Sequence, residues 1–156
     1  MIDALDLKIL AALQVEGRLT NQSLAEQVSL SASACHARVR RLEKEGYIEG
    51  YRAMLKPELL GRPLTVFALI ALERHGRQGQ KAFESHLKSL PAVTECFELS
   101  GQWDYLVRFM AKGIEDYQAI TEGLIDDPKL DVGQITSHVV MRNVQPFAGI
   151  PLDDLT

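Results

Sequence analysis

The amino-terminal part of the chain places apolar residues at intervals of three and four, the spacing of one helix face. This face extends from Ile2 to Leu13, and Gly17 follows at a position where it can end a helix. Asp3 or Asp6 suits the amino-terminal end, because acids are stabilised at the positive end of the helix dipole. The pattern therefore predicts a short amphipathic helix at the start of the chain.

Two further short helices are predicted, with a tight connection between them. Thr20 and Asn21 are capping residues that open the second helix, and the third runs from Ser31 to its stop at Gly46. Two helices joined by about four residues are typical of a helix-turn-helix motif. Alternating apolar residues in segment 47–52 then predict a short strand or wing that leads into a linker.

The remainder of the chain alternates between the periods of strands and helices. The predicted elements are strands over 64–73, 93–100, 105–111 and 132–144 and helices over 78–90 and 114–125. The order βαββαβ is the ferredoxin-like arrangement, in which two helices cover one face of an antiparallel sheet. We therefore predict an α+β chain with a winged helix-turn-helix domain over 1–50, a linker over 51–63 and a ferredoxin-like domain over 64–156.

The first predicted strand is apolar on both faces. Val66, Ala68 and Ile70 point one way, and Phe67 and Leu69 point the other. A half-exposed strand alternates apolar with polar residues, and two helices cover only one face. The sheet of a second copy in a two-fold dimer is the simplest cover for the other face. The alternative is a central strand whose neighbours are more polar.

Composition and charge restrict the class of protein. The 156 residues are 46% hydrophobic, which suits one ordinary or two small globular domains rather than a disordered chain. The longest apolar run has seven residues, whereas a membrane helix needs about 20. We expect no membrane span, no secretory signal and a cytoplasmic location. The net charge of −4 argues against nucleic acid only if the positive side chains are evenly spread.

Positive charge is concentrated on the predicted third helix. With Val39 at the centre of the buried face, Cys35 and Leu42 fall beside it. Segment 31–44 holds four basic residues and one acid, a local charge of +3. The outward side chains are small or hydroxyl-bearing at the start of the helix and basic later, which suits entry into a DNA major groove. The alternative is a solvated helix face whose arginines are neutralised by neighbouring glutamates.

We predict that double-stranded operator DNA is the partner of this helix. The predicted contacts are Arg40, Arg41 and Lys44 to phosphates, Ser31, Ser33 and His36 to base edges, and Asn21 and Gln22 to phosphates beside the second helix. Replacing Arg41 by alanine is expected to lower the salt slope of binding by about 1. Residues 1–50 still sum to −1, so useful affinity is expected to need several recognition helices in one assembly.

The connection between the predicted second and third strands holds the only tryptophan, a glycine and an acid. Ordinary turn chemistry accounts for such residues. The functional interpretation is a pocket for an α-amino acid, in which backbone N–H groups hold the carboxylate and Asp104 accepts from the ammonium. The predicted pocket residues are Gly101, Gln102, Trp103 and Asp104, with Thr136, Ser137 and His138 on the last strand.

The two halves of this pocket need not lie in one subunit. If the second and last strands are at opposite edges of the sheet, the hairpin and the last strand meet only across a contact between subunits. Replacing Asp104 by alanine is then expected to abolish the response to the effector and leave DNA binding intact. If the replacement unfolds the protein instead, the turn interpretation is the correct one.

The sequence offers little for catalysis. It contains no nucleophile elbow, phosphate-binding loop or dinucleotide-binding glycine motif. Neither its four histidines nor its two cysteines have a metal-ligand spacing, and reduced thiols are expected. We predict no enzyme, no cofactor and no metal. The alternatives are a ferredoxin-like small-molecule enzyme with an accessory helical domain, and an architectural DNA-binding protein that ignores ligands.

A string of motifs extends over nearly the whole chain. In order, they are Leu5-Asp6-x-x-Ile9-Leu10, Gly17-Arg18-Leu19-Thr20, Leu24-Ala25, Leu30-Ser31-x-Ser33, Arg38-Val39-x-Arg41-Leu42-Glu43-x-x-Gly46-x-Ile48, Gly61, Ser100-Gly101-x-x-Asp104-Tyr105 and Pro151-Leu152. The chain with these motifs resembles the Lrp/AsnC family of leucine-responsive, or feast/famine, transcription regulators.

The resemblance implies a regulator with an amino-terminal winged helix-turn-helix and a carboxyl-terminal ferredoxin-like sensor. It implies dimers that often assemble into octamers and bind an amino acid or related metabolite between subunits. By position, the recognition helix is 31–45, the effector loop is 101–104, and Thr136 to Val139 lie across the pocket. Because Gln102, Trp103 and His138 are not fixed in the family, the identity of the effector is left open.

Overall fold

The computed structural model describes residues 2–73 and 76–152 and contains two compact units. The first unit comprises the residues up to Met54 together with those from Val144 onward, and the second is Leu55–Asn143. This division differs from the predicted domains, which placed the whole carboxyl-terminal end with the sheet.

The side chain of Gln14 binds the carboxyl-terminal segment within the first unit. Gln14 donates from its amide nitrogen to the carbonyl oxygen of Ile150 at 3.1 Å and accepts from the Ile150 N–H at 2.6 Å. A side-chain amide that bonds both backbone groups of one residue substitutes for a strand partner. The contact joins residues 136 positions apart, so sequence periodicity gives no sign of it.

The first unit contains the three predicted helices: α1 (Ala4–Val15), α2 (Asn21–Gln27) and α3 (Ala32–Lys44). Each begins at a side chain that accepts a backbone N–H: Asp3, Thr20 and Ser31, respectively. Their apolar faces meet in a small core. The fully or nearly buried members of that core are Ile9, Leu24, Ala25, Val28, Cys35 and Leu42.

The strand expected after α3 does not form, so that part of the prediction is wrong. Residues 47–56, all of them described, have no regular secondary structure, and a short 3-10 helix follows at Pro57–Leu60. The reason lies at the end of α3, where Gly46 adopts a positive φ of 80°. The N–H groups of Tyr47 and Ile48 both point back to the carbonyl of Leu42.

The second unit confirms the predicted βαββαβ order. Its elements are β1 (Leu64–Leu72), α4 (Arg77–Ser89), β2 (Val93–Glu98), β3 (Tyr105–Ala111), α5 (Ile114–Asp126) and β4 (Val132–Val139). The strands form one antiparallel sheet in the order β2-β3-β1-β4. β4 ends at Val139, short of the predicted 144.

The two faces of this sheet differ. Alternate residues of β1 and β3 point inward and are fully buried with Phe83 and Leu87 of α4 and Tyr117 and Leu124 of α5. The other residues of these strands form what we call the open face, and they are only half-buried. The open-face residues of β1 and β3 are Thr65, Phe67, Leu69, Ala71, Leu106, Arg108 and Met110.

Two further properties of the chain follow from the described residues. Within them, no helix has the length and apolar character that crossing a membrane requires. Cys35 is buried and Cys96 exposed, and both are free thiols.

Candidate DNA interface and effector site

α3 presents the face that its sequence predicts. Cys35 and Leu42 are fully buried in the core of the first unit. Along the opposite side, the side chains are exposed to solvent. These exposed residues are Ser33, His36, Ala37, Arg40 and Lys44. The helix therefore offers a strip that begins with small residues and ends with cations, a shape and charge order suited to a major groove.

Two of the four basic residues of α3, Arg38 and Arg41, form ion pairs with acids at the start of α1. Arg38 donates to Asp3 at 2.7 Å and to Asp6 at 2.8 Å, and Arg41 is ion-paired with the other oxygen of Asp6. Arg40 has no ion pair among the described residues. Arg41 was predicted to contact phosphate, but here its guanidinium is already bound to a carboxylate of α1.

Asp6 is the centre of this cluster, which we call the Asp6 cluster (Asp3, Asp6, Arg38 and Arg41). Its side chain is fully buried, the only buried charged side chain among the described residues. It also accepts the Asp3 N–H at 2.9 Å, while Asp3 accepts the Asp6 N–H in return. This reciprocal capping box fixes the start of α1. The cluster therefore joins the start of α1 to one side of the recognition helix.

The cluster holds both carboxylates in their charged form. The N–H of Asp6 and the guanidinium of Arg38 lower the pKa of Asp3 to about 2. Burial acts to raise the pKa of Asp6, but the Asp3 N–H, Arg38 and Arg41 outweigh it, and the net shift is downward. The sequence prediction placed these acids only at a helix end. That Asp6 of α1 lies opposite Arg38 and Arg41 of α3 can be recognised only from the packing of the two helices.

The remaining predicted DNA residues lie near the start of α3. The Asn21 amide donates to the carbonyl of Ala32 at 2.8 Å, so it connects the start of α2 to the start of α3. Ser31 caps α3 by accepting the Ala34 N–H at 3.3 Å. Gln22 is exposed and reaches only Glu26 of its own helix. Asn21 and Ser31 therefore have local structural partners, whereas Gln22 faces solvent.

The predicted effector hairpin is tied to the end of β1. Asp104 accepts the N–H of Leu72 at 2.7 Å and donates its own N–H to the carbonyl of Ile70 at 3.0 Å. Gly101 has a φ of 108°, a conformation that other residues rarely adopt. The carboxylate predicted to accept from an ammonium is therefore engaged with the backbone in this structure.

The other two hairpin residues are more available. Gln102 is exposed and Trp103 is half-buried. The hairpin thus presents an amide and one side of an indole, while its backbone path is set by Gly101 and Asp104.

The predicted effector residues of β4 alternate between the two faces of the sheet. Thr136 and His138 pair with Leu69 and Phe67 on the open face. Ser137 points to the helix side, where its hydroxyl lies 2.5 Å from that of Tyr117. Val139 is on the helix side as well and remains partly exposed. The four residues therefore do not converge on one point.

The two predicted pocket segments are separated in the sheet of one subunit. β2 and β4 are the edge strands of the sheet, and β1 lies between β3 and β4. The hairpin joins β2 to β3, so within one subunit at least one strand separates it from Thr136–Val139. Among the described residues, no group of three histidine, cysteine, aspartate or glutamate side chains is arranged to hold a metal ion.

Family models match both parts of the chain. Residues 2–49 match a winged helix-turn-helix DNA-binding domain, and residues 65–149 match the Lrp/AsnC ligand binding domain. Among curated proteins, the chain is 42% identical over 156 residues to the transcriptional regulatory protein DoeX of Halomonas elongata, covering 99% of this chain and 98% of that one.

Solved structures share the whole fold. A transcriptional regulator from Neisseria meningitidis, crystallised as a complex with L-Met, superposes with a TM-score of 0.93 at 30% identity and full coverage of both chains. An AsnC family transcriptional regulator from Agrobacterium tumefaciens gives a TM-score of 0.91 at 31% identity, covering 99% of this chain and 100% of that one.

Proposed function

This chain belongs to the Lrp/AsnC family of transcription regulators, and we propose that it contacts operator DNA with the exposed strip of α3. Its helix-turn-helix binds DNA and its carboxyl-terminal unit binds an amino-acid ligand, as in the family. The observation that carries the assignment of residues is the division of the basic side chains on α3. Arg40 and Lys44 are exposed, whereas Arg38 and Arg41 are bound to α1.

In this proposal, Arg40 and Lys44 bind phosphates, and Ser33 and His36 reach base edges. Small side chains near the start of the helix let the backbone approach the groove floor, and cations further along meet the phosphates. Arg41 is a positioning residue that keeps the strip in place. Gln22 remains a candidate for a phosphate contact, with Asn21 and Ser31 shaping the start of α3.

We propose that the open face of the sheet is covered by the sheet of a second copy. Phe67 and Leu69 lie at its centre, flanked by Leu106 and Met110. Arg108 stacks over the Phe67 ring at 5.9 Å and pairs with Glu95 at 3.1 Å, which places a paired cation beside the apolar residues of this face. These apolar residues are only half-buried in one chain, and a second copy is the simplest cover for them.

Sedimentation tests this assembly. We expect the protein to form dimers or octamers, and Leu69→Asp to dissociate the dimer because a carboxylate would be buried in an apolar contact. Gln118→Asp, which places the same charge on an exposed position of α5, is the control. If Leu69→Asp leaves the sedimentation coefficient unchanged, the open face is not the dimer interface.

We propose an amino acid as the effector, at a site formed by the hairpin of one subunit and β4 of another. The L-Met bound to the Neisseria regulator, a protein 30% identical to this chain, supports this ligand class. On the hairpin, Gln102 is exposed and Trp103 is half-buried, and Thr136 and His138 point to the open face. In this proposal, Asp104 fixes the hairpin through its hydrogen bonds to the backbone of Ile70 and Leu72.

The experiment that tests the regulator is a titration of the protein with the twenty amino acids. Binding is followed by the fluorescence of Trp103, the only tryptophan, and its consequence by the mobility of operator DNA. A regulator of this kind changes both signals with at least one amino acid and acts in the cytoplasm, where the DNA is. A mobility shift that no amino acid alters would favour a ligand-independent architectural protein.

A further inference from the structure

A cavity of about 460 Å³ lies between α4 and the edge strand β2, and its lining includes none of the hairpin residues 101–104. Its volume falls within the range of small-molecule sites, roughly 300–1,000 Å³. Leu87 of α4 and Tyr105 of β3 are buried in its wall, and Val93 adds a third apolar surface. The cavity therefore has an apolar side that can contact a carbon chain.

The rest of the lining is charged. Glu84 and Lys88 come from successive turns of α4, and Glu95 and Glu98 come from β2. Glu95 is already paired with Arg108 at 3.1 Å, which leaves two carboxylates and one ammonium. The lining therefore carries an excess of negative charge beside its apolar wall.

The carboxylate of Glu84 is anchored at the buried end of the cavity. It accepts the hydroxyl of Tyr105 at 3.1 Å. Burial raises the pKa of Tyr105, and the nearby charges of Glu84 and Glu98 raise it further. Glu98 is opposite Tyr105 in the register of β2 and β3, so both carboxylates lie beside Tyr105.

We propose that this cavity binds a small molecule with an ammonium group on a short apolar body. Glu84 and Glu98 pair with the ammonium, and Leu87 and Val93 contact the body. A simple amine and an amino acid share this chemistry, and Lys88 offers a partner for the carboxylate of the latter. The site lies within one subunit and does not depend on the hairpin being an effector site.

Cys96 provides a direct reporter, because its thiol is exposed and also lines the cavity. The other cysteine, Cys35, is fully buried. We would measure the rate at which iodoacetamide alkylates Cys96 in the full-length protein. Mildly alkaline buffer is needed, since burial and the charge of Glu84 raise the pKa of Cys96. Cys96→Ser, which should abolish the signal, shows that the reacting thiol is Cys96.

Three probes of nearly one shape separate the possible ligands: L-leucine, isoamylamine, which lacks its carboxylate, and 4-methylpentanoate, which lacks its ammonium. A ligand that blocks the thiol slows alkylation about tenfold when present at ten times its dissociation constant. We expect isoamylamine to protect Cys96 and 4-methylpentanoate to give no protection. Stronger protection by L-leucine would identify an amino-acid site, and equal or weaker protection an amine site.

Glu98→Gln should weaken the protection by the amine, whereas Glu115→Gln, an exposed change on α5, should not. Thermal unfolding of each variant confirms that it is folded. Equal protection by the acid, or unchanged protection in Glu98→Gln, would overturn recognition of the ammonium. Loss of protection in the hairpin variant Gln102→Ala would assign the effect to the hairpin and overturn the cavity site.

Discussion

The two units of this chain place their charged side chains differently. In the helix-turn-helix unit a fully buried carboxylate, Asp6, holds α1 against two arginines of α3. In the sheet unit the buried residues are apolar or aromatic, and the charged residues that the structure describes are half-buried or exposed. A basic residue on the recognition helix is therefore not necessarily a DNA contact, because two of the four, Arg38 and Arg41, form ion pairs within the folded unit.

The contrast extends to the aspartates. Asp6 pairs with side chains of a different helix, whereas Asp104 pairs with backbone groups of the neighbouring strand. The first arrangement positions a binding surface, and the second closes a hairpin. Each aspartate can therefore be removed to ask whether its unit depends on it.

The largest effect is expected for Asp6→Ala. Removing Asp6 deprives Arg41 of its carboxylate and the Asp3 N–H of its acceptor, and leaves Arg38 with Asp3 alone. Hydrogen bonds to a charged group contribute about 1.5–3 kcal/mol and a helix cap about 1 kcal/mol, so we expect a loss of about 3 kcal/mol. Chemical denaturation should show this loss of stability, with Glu49→Ala, an exposed acid of the same unit, close to wild type. A loss below about 1 kcal/mol, the usual limit for exposed pairs, would mean that the cluster contributes no more than a surface ion pair.

Asp104→Ala is expected to have a smaller effect. The N–H of Leu72 would lose its acceptor, which costs about 1–3 kcal/mol for a buried donor. The fold should survive and DNA binding remain, while the effector response is lost because the hairpin is no longer held. Asp104→Asn retains an acceptor oxygen and should restore both stability and response. If Asp104→Asn fails to respond while folded, the response requires the negative charge of Asp104.

The two neighbouring arginines of α3 should differ in the salt dependence of DNA binding. Arg40→Ala removes a free cation and should lower the slope of log affinity against log salt by about 1. Arg41→Ala should leave the slope unchanged and lower the stability of the first unit, since Arg41 is bound to Asp6. A reduced slope for Arg41→Ala would return Arg41 to the phosphate contacts that the sequence predicted.

The smallest effect concerns pH. The pKa of Asp3 is lowered from 3.8 to about 2 in the folded protein, so its contribution to stability is present above pH 4 and is lost as the pH falls from about 4 to 2. Asp6 shifts in the same direction. Unfolding curves across this range should show a steeper loss of stability for the wild type than for Asp3→Asn. Parallel curves would mean that Asp3 does not contribute.

Much of the fold could be predicted because it depends on local order. The capping residues Thr20 and Ser31 stand where α2 and α3 begin, and the order of strands and helices in the second unit follows the change of period. The strand predicted at 47–52 does not form, and the reason is the local backbone conformation at the end of α3. Gly46 lets the chain fold back on α3, and the backbone donors are used there.

The sites were less predictable because they depend on partners distant in the sequence. Helical spacing identified which side of α3 is exposed, but not that Arg41 meets Asp6 across 35 residues. The period of two in β4 implies that Ser137 and His138 face opposite sides, yet only the packed helix reveals Tyr117 beside Ser137. The cavity lined by Glu84 and Glu98 joins a helix and a strand that carry no motif.

By itself, the sequence determined the family, the two kinds of unit, the orientation of α3 and the order of strands and helices along the second unit. These depend on periodicity and capping, which act between residues a few positions apart. Only the tertiary structure decided which cations are free, which carboxylates are engaged and where a cavity remains. Those properties arise from pairs of side chains that packing brings together. Each pair stabilises the folded protein only when both of its elements are in place.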